Sequence, residues 1–136
     1  MSKYTKHAAY VRSGNDTIGS VRDMFRGGVS READSWVGSA AYYKGMKKLD
    51  KLREHITDRG LQFDVETGHA TEVGEGVVAL SARINGNEAC ILMVASSGIV
   101  RDIRVEVDGG VHTVNVAGVN SRVVADALAS VVGEGA

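Results

Sequence analysis

Four histidines, one cysteine, two glycine-rich stretches and a run of lysines are the residues of this chain whose chemistry warrants a first look. The histidines are His7, His55, His69 and His112, and no two of them lie at a metal-ligand spacing. With a single cysteine, a structural zinc site lacks ligands, so no metal site is expected. Cys90 would act as a nucleophile only beside a base and an orienting group. It lies in the most apolar stretch of the chain, residues 89–95, where a buried and inert thiol is expected. His112 reads as a surface residue at a hairpin end and His55 as a solvent-facing helix residue. The segment 14–19 has no Lys-Ser/Thr of a phosphate loop, and residues 68–76 lack the spacing of a dinucleotide loop and lead into no helix. No catalytic residue and no cofactor is therefore expected.

The lysines are more informative. At about 100° per residue on a helix, Lys44, Lys47, Lys48 and Lys51 share one sector. Such a ridge suits phosphate contacts, which are driven by charge and need no base-specific geometry. Glu54 and Asp58 continue the same side and weaken it. An ordinary solvated helix face is the alternative. Trp36, Tyr42 and Tyr43 cluster beside Lys44. Aromatic residues in this setting can anchor a protein interface, fill a core or stack on bases; the interface reading is preferred.

The elements that position these groups follow from periodicity and punctuation. The chain has 136 residues and is 43% hydrophobic, enough for one α+β domain over residues 1–136 with its own core. It contains no proline and 17 glycines, so glycine, asparagine and aspartate must end its elements. Residues 1–15 read as an edge strand or a loosely ordered arm. Asn15-Asp16 starts a short helix over 16–26, with Ile18, Val21 and Phe25 at helical spacing and Gly27-Gly28 at its end. Ser30 caps a long helix over 31–59 that stops at Gly60. Tyr42, Met46, Leu49, Leu52 and Ile56 form its core stripe, while Trp36, Ala40 and Tyr43 fall nearly opposite. Two stripes imply either a bend near Gly38 or Gly45, or a second subunit against the outer one.

From Leu61 the period becomes strand-like. The segment 61–66 alternates, 68–76 reads as a loop or ragged edge, and 77–84 and 88–95 flank Asn85-Gly86, a strong hairpin signal. That turn pairs Arg83 with Glu88, Leu80 with Ile91 and Ala79 with Leu92. A second hairpin joins 101–107 to 111–117. A Gly109-Gly110 loop pairing Val107 with His112, Val105 with Val114 and Ile103 with Val116, and on the other face Glu106 with Thr113 and Arg104 with Asn115, separates apolar from polar best. Asn120-Ser121 caps a last helix ended by Gly133, with Val124, Ala127, Leu128, Val131 and Val132 as its apolar stripe. Consecutive strands with short turns imply an antiparallel meander of about five strands, preceded by a short and a long helix and followed by a C-terminal helix.

Net charge is −1, but residues 1–60 carry +5 and residues 61–136 carry −6. This implies a basic helical layer over an acidic sheet of the same or a neighbouring chain, or a basic surface for an anionic partner. The lone cysteine, the absence of an apolar leader and of a membrane-length apolar run point to a cytoplasmic protein. The leading expectation is a non-enzymatic interaction protein acting as a homo-oligomer through Trp36, Ala40 and Tyr43. A nucleic-acid-binding protein using the lysine ridge is the alternative, and a small-ligand binder or enzyme with a site between subunits is the third.

Overall fold

A computed structural model of the chain describes residues 10–12, Val21 and 31–133. The architecture is α+β: an antiparallel sheet with two helices on one face. The elements are β1 (Tyr10–Arg12), β2 (Arg31–Glu32), a 3₁₀ turn (Asp34–Trp36), α1 (Ala40–Asp58), β3 (Phe63–Val65), β4 (Thr71–Gly74), β5 (Val77–Ile84), β6 (Asn87–Val94), β7 (Val100–Val107), β8 (Gly110–Asn115) and α2 (Ser121–Val132). The spatial order is β1-β8-β7-β6-β5-β4-β2, with β3 beside the far half of β5. β1 takes the edge-strand alternative for the N-terminal segment by pairing with β8. The helix expected over 16–26 lies outside the described residues apart from Val21.

The long helix is shorter than its expected span of 31–59, because three local signals compete at its start. Arg31 and Glu32 pair with Glu72 and Thr71 of β4 instead of helping to form a first turn. Asp34 turns its carboxylate to the Ala70 N–H at 3.0 Å, and Gly38 takes φ +92°, which halts any helix. Ser39 then accepts from the Tyr42 N–H at 3.1 Å and is the true cap. Trp36 therefore precedes the helix, and the bend foreseen at Gly38 is a complete break. Downstream the core stripe holds: Tyr42, Leu49, Leu52 and Ile56 are buried, Met46 is half-buried on its flank, and Gly45 joins the buried side.

Strand β4 lies where a loop or ragged edge was expected. Its four residues are half-buried throughout, and its pairing with β5 is irregular between Glu72 and Gly74, so no alternation marks it in the sequence. The first hairpin has the expected register, Arg83 to Glu88, Leu80 to Ile91 and Ala79 to Leu92. Asn85 and Gly86 take φ +50° and +84° in its turn. The second hairpin departs from expectation. Its loop is Asp108-Gly109, with φ +51° and +81°, and Val107 pairs with Gly110, Val105 with His112, Ile103 with Val114, Arg104 with Thr113 and Glu106 with Val111. The slip from the expected register is two residues, which keeps every side chain on its face. Facing alone therefore does not distinguish the two registers, and the turn chemistry of Asp-Gly decides.

One face of the sheet meets α1 and α2. Leu80, Ile84, Ile91, Met93, Ile103, Val105 and Val114 pack there with Leu49, Leu52, Ile56, Val124 and Leu128. Asn120 caps α2 through the Arg122 N–H at 2.8 Å, and Gly133 ends it at φ +92°. The opposite face carries Ala79, Cys90, Leu92, Asp102, Val111 and Thr113, all buried, with Val21 against Cys90 and Val111. The two-sided covering inferred from the doubly apolar hairpin is thus present. Among the described residues, the ion pairs Arg31–Glu72 and Arg59–Asp126, both at 2.6 Å, join the basic half of the chain to the acidic half. No helix among the described residues is long and apolar enough to cross a membrane.

Candidate functional site

The outer side of α1 carries most of the residues singled out in the sequence. Ala40, Tyr43, Lys44, Lys47 and Lys51 are exposed, and Tyr43 is 59% exposed. Its ring meets Tyr42 edge-on at 5.3 Å between centroids, and Tyr42 meets Trp36 edge-on at 5.6 Å. Trp36 is half-buried against the core and donates from its indole Nε1 to the Ala95 carbonyl at 2.8 Å. The three aromatics thus form a ladder that leads from the core to the surface.

The four lysines are not equivalent. Lys48 is half-buried and donates from Nζ to the Val119 carbonyl at 3.1 Å. Loss of water, and secondarily the charge of Lys51, holds its ammonium below the ordinary lysine pKa. Among the described residues, none of the four has a carboxylate within ion-pair distance. The neighbouring Asp50 is taken by Arg53 at 3.0 Å.

Lys44 and Lys48 also border a cleft of about 240 Å³ with Gly98, Ile99, Val100, Val116, Ala117 and Gly118. Three separate parts of the chain form it: α1, the β6–β7 turn with the first residue of β7, and the β8–α2 turn. Sequence reasoning missed this cleft because no local pattern spans the three. The available signals were Gly98 and Gly118, both at positive φ, and Ile99, which is 46% exposed. A second cleft, of about 390 Å³, lies on the other side of the sheet and is lined by Val21, Asp64, Glu66, Ser81, Arg83 and Glu88 among others. There Arg83 sits in register between Asp64 on β3 and Glu88 on β6.

The three described histidines stay apart from one another. His69 approaches Asp34 at 3.3 Å, His55 offers its carbonyl to Arg59 Nη1 at 2.6 Å, and His112 sits half-buried opposite Val105. His7 lies outside the described residues. Among the described residues no group of three His, Cys, Asp or Glu side chains is placed to hold a metal ion. Cys90 is fully buried, and burial pushes its thiol up to about 12. Beside it Asp102, 7% exposed, has Oδ2 3.4 Å from Arg101 Nε and Oδ1 3.7 Å from Arg104 Nε. Desolvation raises the Asp102 carboxyl, while Arg104 and Arg101 oppose that rise. The chain matches no protein-family model, and neither a curated protein nor a solved structure shows significant similarity to it.

Proposed function

We propose that the protein is a non-enzymatic binding protein that associates with a second copy of itself through the outer face of α1. The observation that carries this reading is the exposed Tyr43, which meets Tyr42 edge-on, as Tyr42 in turn meets Trp36, and which shares its face with the small Ala40. The order of charges on this face supports the same occupant. Lys44 and Lys47 lie in its N-terminal half and Lys51 just past the middle, whereas Glu54 and Asp58 lie toward its C-terminal end, all exposed. A two-fold axis across the helix would set Lys47 against Glu54 of the second copy and Tyr43 against Asp58 of the second copy. Each contact then occurs twice, as closed two-fold assembly requires. A parallel arrangement would instead oppose like charges.

Light scattering tests the proposal: a dimer of the 14.4 kDa chain is expected at micromolar concentration. Lys47→Glu and Glu54→Lys should each weaken association, and the combined swap should restore it, because the pair is reciprocal. A wild type that remains a monomer, or a double variant no better than the singles, would overturn the reading.

Nucleic-acid binding through the lysine ridge is the second reading. It is supported by three exposed lysines, Lys44, Lys47 and Lys51, that have no carboxylate partner among the described residues. Lys48 contributes less to it, because it is half-buried and tied to the Val119 carbonyl, away from the exposed face that carries the other three.

A further inference from the structure

The cleft beside Lys48 lies on the flank of α1, next to the sector proposed for self-association, and it has a chemistry of its own. Among the described residues its lining contains two ammonium groups and no carboxylate. The rest of the wall is aliphatic or glycine: Ile99, Val100, Val116, Ala117, Gly98 and Gly118. Lys48 is half-buried there and Lys44 is exposed at the rim, so an anion that enters meets one partly desolvated ammonium and one solvated one above an apolar floor.

The walls are held by backbone bonds rather than by mobile side chains. In the β6–β7 turn the Gly98 N–H donates to the Val94 carbonyl at 2.8 Å, and the Val94 N–H donates to the Ile99 carbonyl at 2.9 Å. In the β8–α2 turn the Val119 N–H donates to the Val116 carbonyl at 3.0 Å, while the Val116 and Ala117 N–H groups both donate to Arg101. Lys48 donates to the Val119 carbonyl, so one of the two cations is already oriented. A volume of about 240 Å³ is smaller than the roughly 300–1,000 Å³ of drug-sized sites. It suits a compact ligand.

We infer that this cleft binds a small organic anion, a carboxylate or phosphate monoester with a short apolar body, whose head group meets Lys44 and Lys48 and whose body lies on Ile99, Val100 and Val116. A bare inorganic anion would leave the aliphatic wall unused. A polyanionic chain would engage Lys47 and Lys51 as strongly as the cleft.

Titrations with acetate, butyrate and hexanoate, followed by amide chemical shifts on the full chain, test this directly. Affinity should rise about fourfold per added methylene until the cleft is full. The largest shifts should fall on Gly98, Ile99 and Gly118. Butyl phosphate against butyrate distinguishes the two head groups. Lys44→Gln and Lys48→Gln should each weaken hexanoate by about tenfold, the scale of one charge-assisted hydrogen bond. Ile99→Glu, at a partly exposed position, should abolish binding without touching Lys48 and serves if the Lys48 variant folds poorly. Equal affinity across the series, shifts centred on Lys47 and Lys51, or binding that survives Ile99→Glu would each overturn the inference.

Discussion

Gly98 packs against the backbone of Ala41 so closely that a Cβ at this position would overlap the Ala41 carbonyl. The contact fixes the β6–β7 turn to the first turns of α1. Gly45 completes it one helical turn on, where a Cβ would lie 2.7 Å from the Met93 sulfur and 2.9 Å from the Gly98 carbonyl. Both the Tyr43 face and the Lys48 cleft depend on this close approach, since it sets where α1 lies relative to Ile99.

Gly98 and Gly86 provide a matched pair of substitutions. Both have positive φ, +78° and +84°, but a Cβ on Gly86 meets nothing within 4 Å. Gly86→Ala should cost about 1 kcal/mol, the penalty of a left-handed alanine. Gly98→Ala adds a backbone clash and should cost about 2–4 kcal/mol, combining that penalty with overpacking. Urea unfolding of the two variants measures the difference. Equal losses would show that the turn can move away from α1.

Cys90 should be inert in the folded protein. Its thiol is fully buried and raised to about 12, so almost no thiolate exists at mildly alkaline pH. A thiol reagent should label it only at the rate of unfolding, and completely in denaturant. Rapid native labelling would show that the sheet face around Val21 opens. Cys90→Ala should retain self-association, because the side chain faces away from α1 on the opposite side of the sheet.

Asp102 gives a pH dependence whose sign follows from its environment. Burial raises its folded-state pKa above the unfolded value of 3.8, so the folded state holds the proton more tightly. Its contribution to stability is therefore greatest at low pH and is lost as pH rises through the folded value. Compared with Asp102→Asn, which cannot titrate, the wild type should gain relative stability as pH falls through this window toward 3.8. Denaturant unfolding of both proteins at a series of pH values measures the change. It is independent of the constant offset left by the altered contacts to Arg101 and Arg104. A difference that is flat, or that runs the other way, would place the carboxylate in a better-solvated or better-paired setting.

Much of the fold can be read from the chain because local and tertiary signals agree. Asn85-Gly86 fixes one hairpin, and the Leu49, Leu52 and Ile56 stripe matches the helix-facing side of the sheet. The misread segments are those where two local signals compete. Ser30 has the side chain of a helix cap, yet Ser39 takes that role once residues 31 and 32 join the sheet. Gly109-Gly110 looks like a turn, yet Asp108-Gly109 forms it. The second apolar stripe that suggested an interface has two origins. Trp36 belongs to a segment before the helix and roots in the fold, while Ala40 and Tyr43 do point outward on α1. The cleft could not be read at all, since Lys48 and Ile99 lie far apart in the chain and share its lining only in the folded structure, where the Gly98–Ala41 approach is close.

The nucleic-acid reading makes a quantitative prediction that the bond of Lys48 to Val119 changes. Four engaged lysines would give a slope of log K against log salt of roughly −3 to −4 on duplex DNA, through counterion release. With Lys48 held at the Val119 carbonyl, three lysines remain at the exposed face, and a slope of roughly −3 is expected. Replacing Lys47 and Lys51 together by glutamine should reduce it by about two. Thermal stability should hardly change, since exposed helix charges contribute little to folding. Lys48→Gln alone should leave the slope nearly unaltered while weakening hexanoate binding in the cleft, which separates the two uses of the ridge. Fluorescence titrations with short DNA and RNA at several salt concentrations give the slopes. Absence of binding at low salt would remove the nucleic-acid reading and leave self-association as the use of this face.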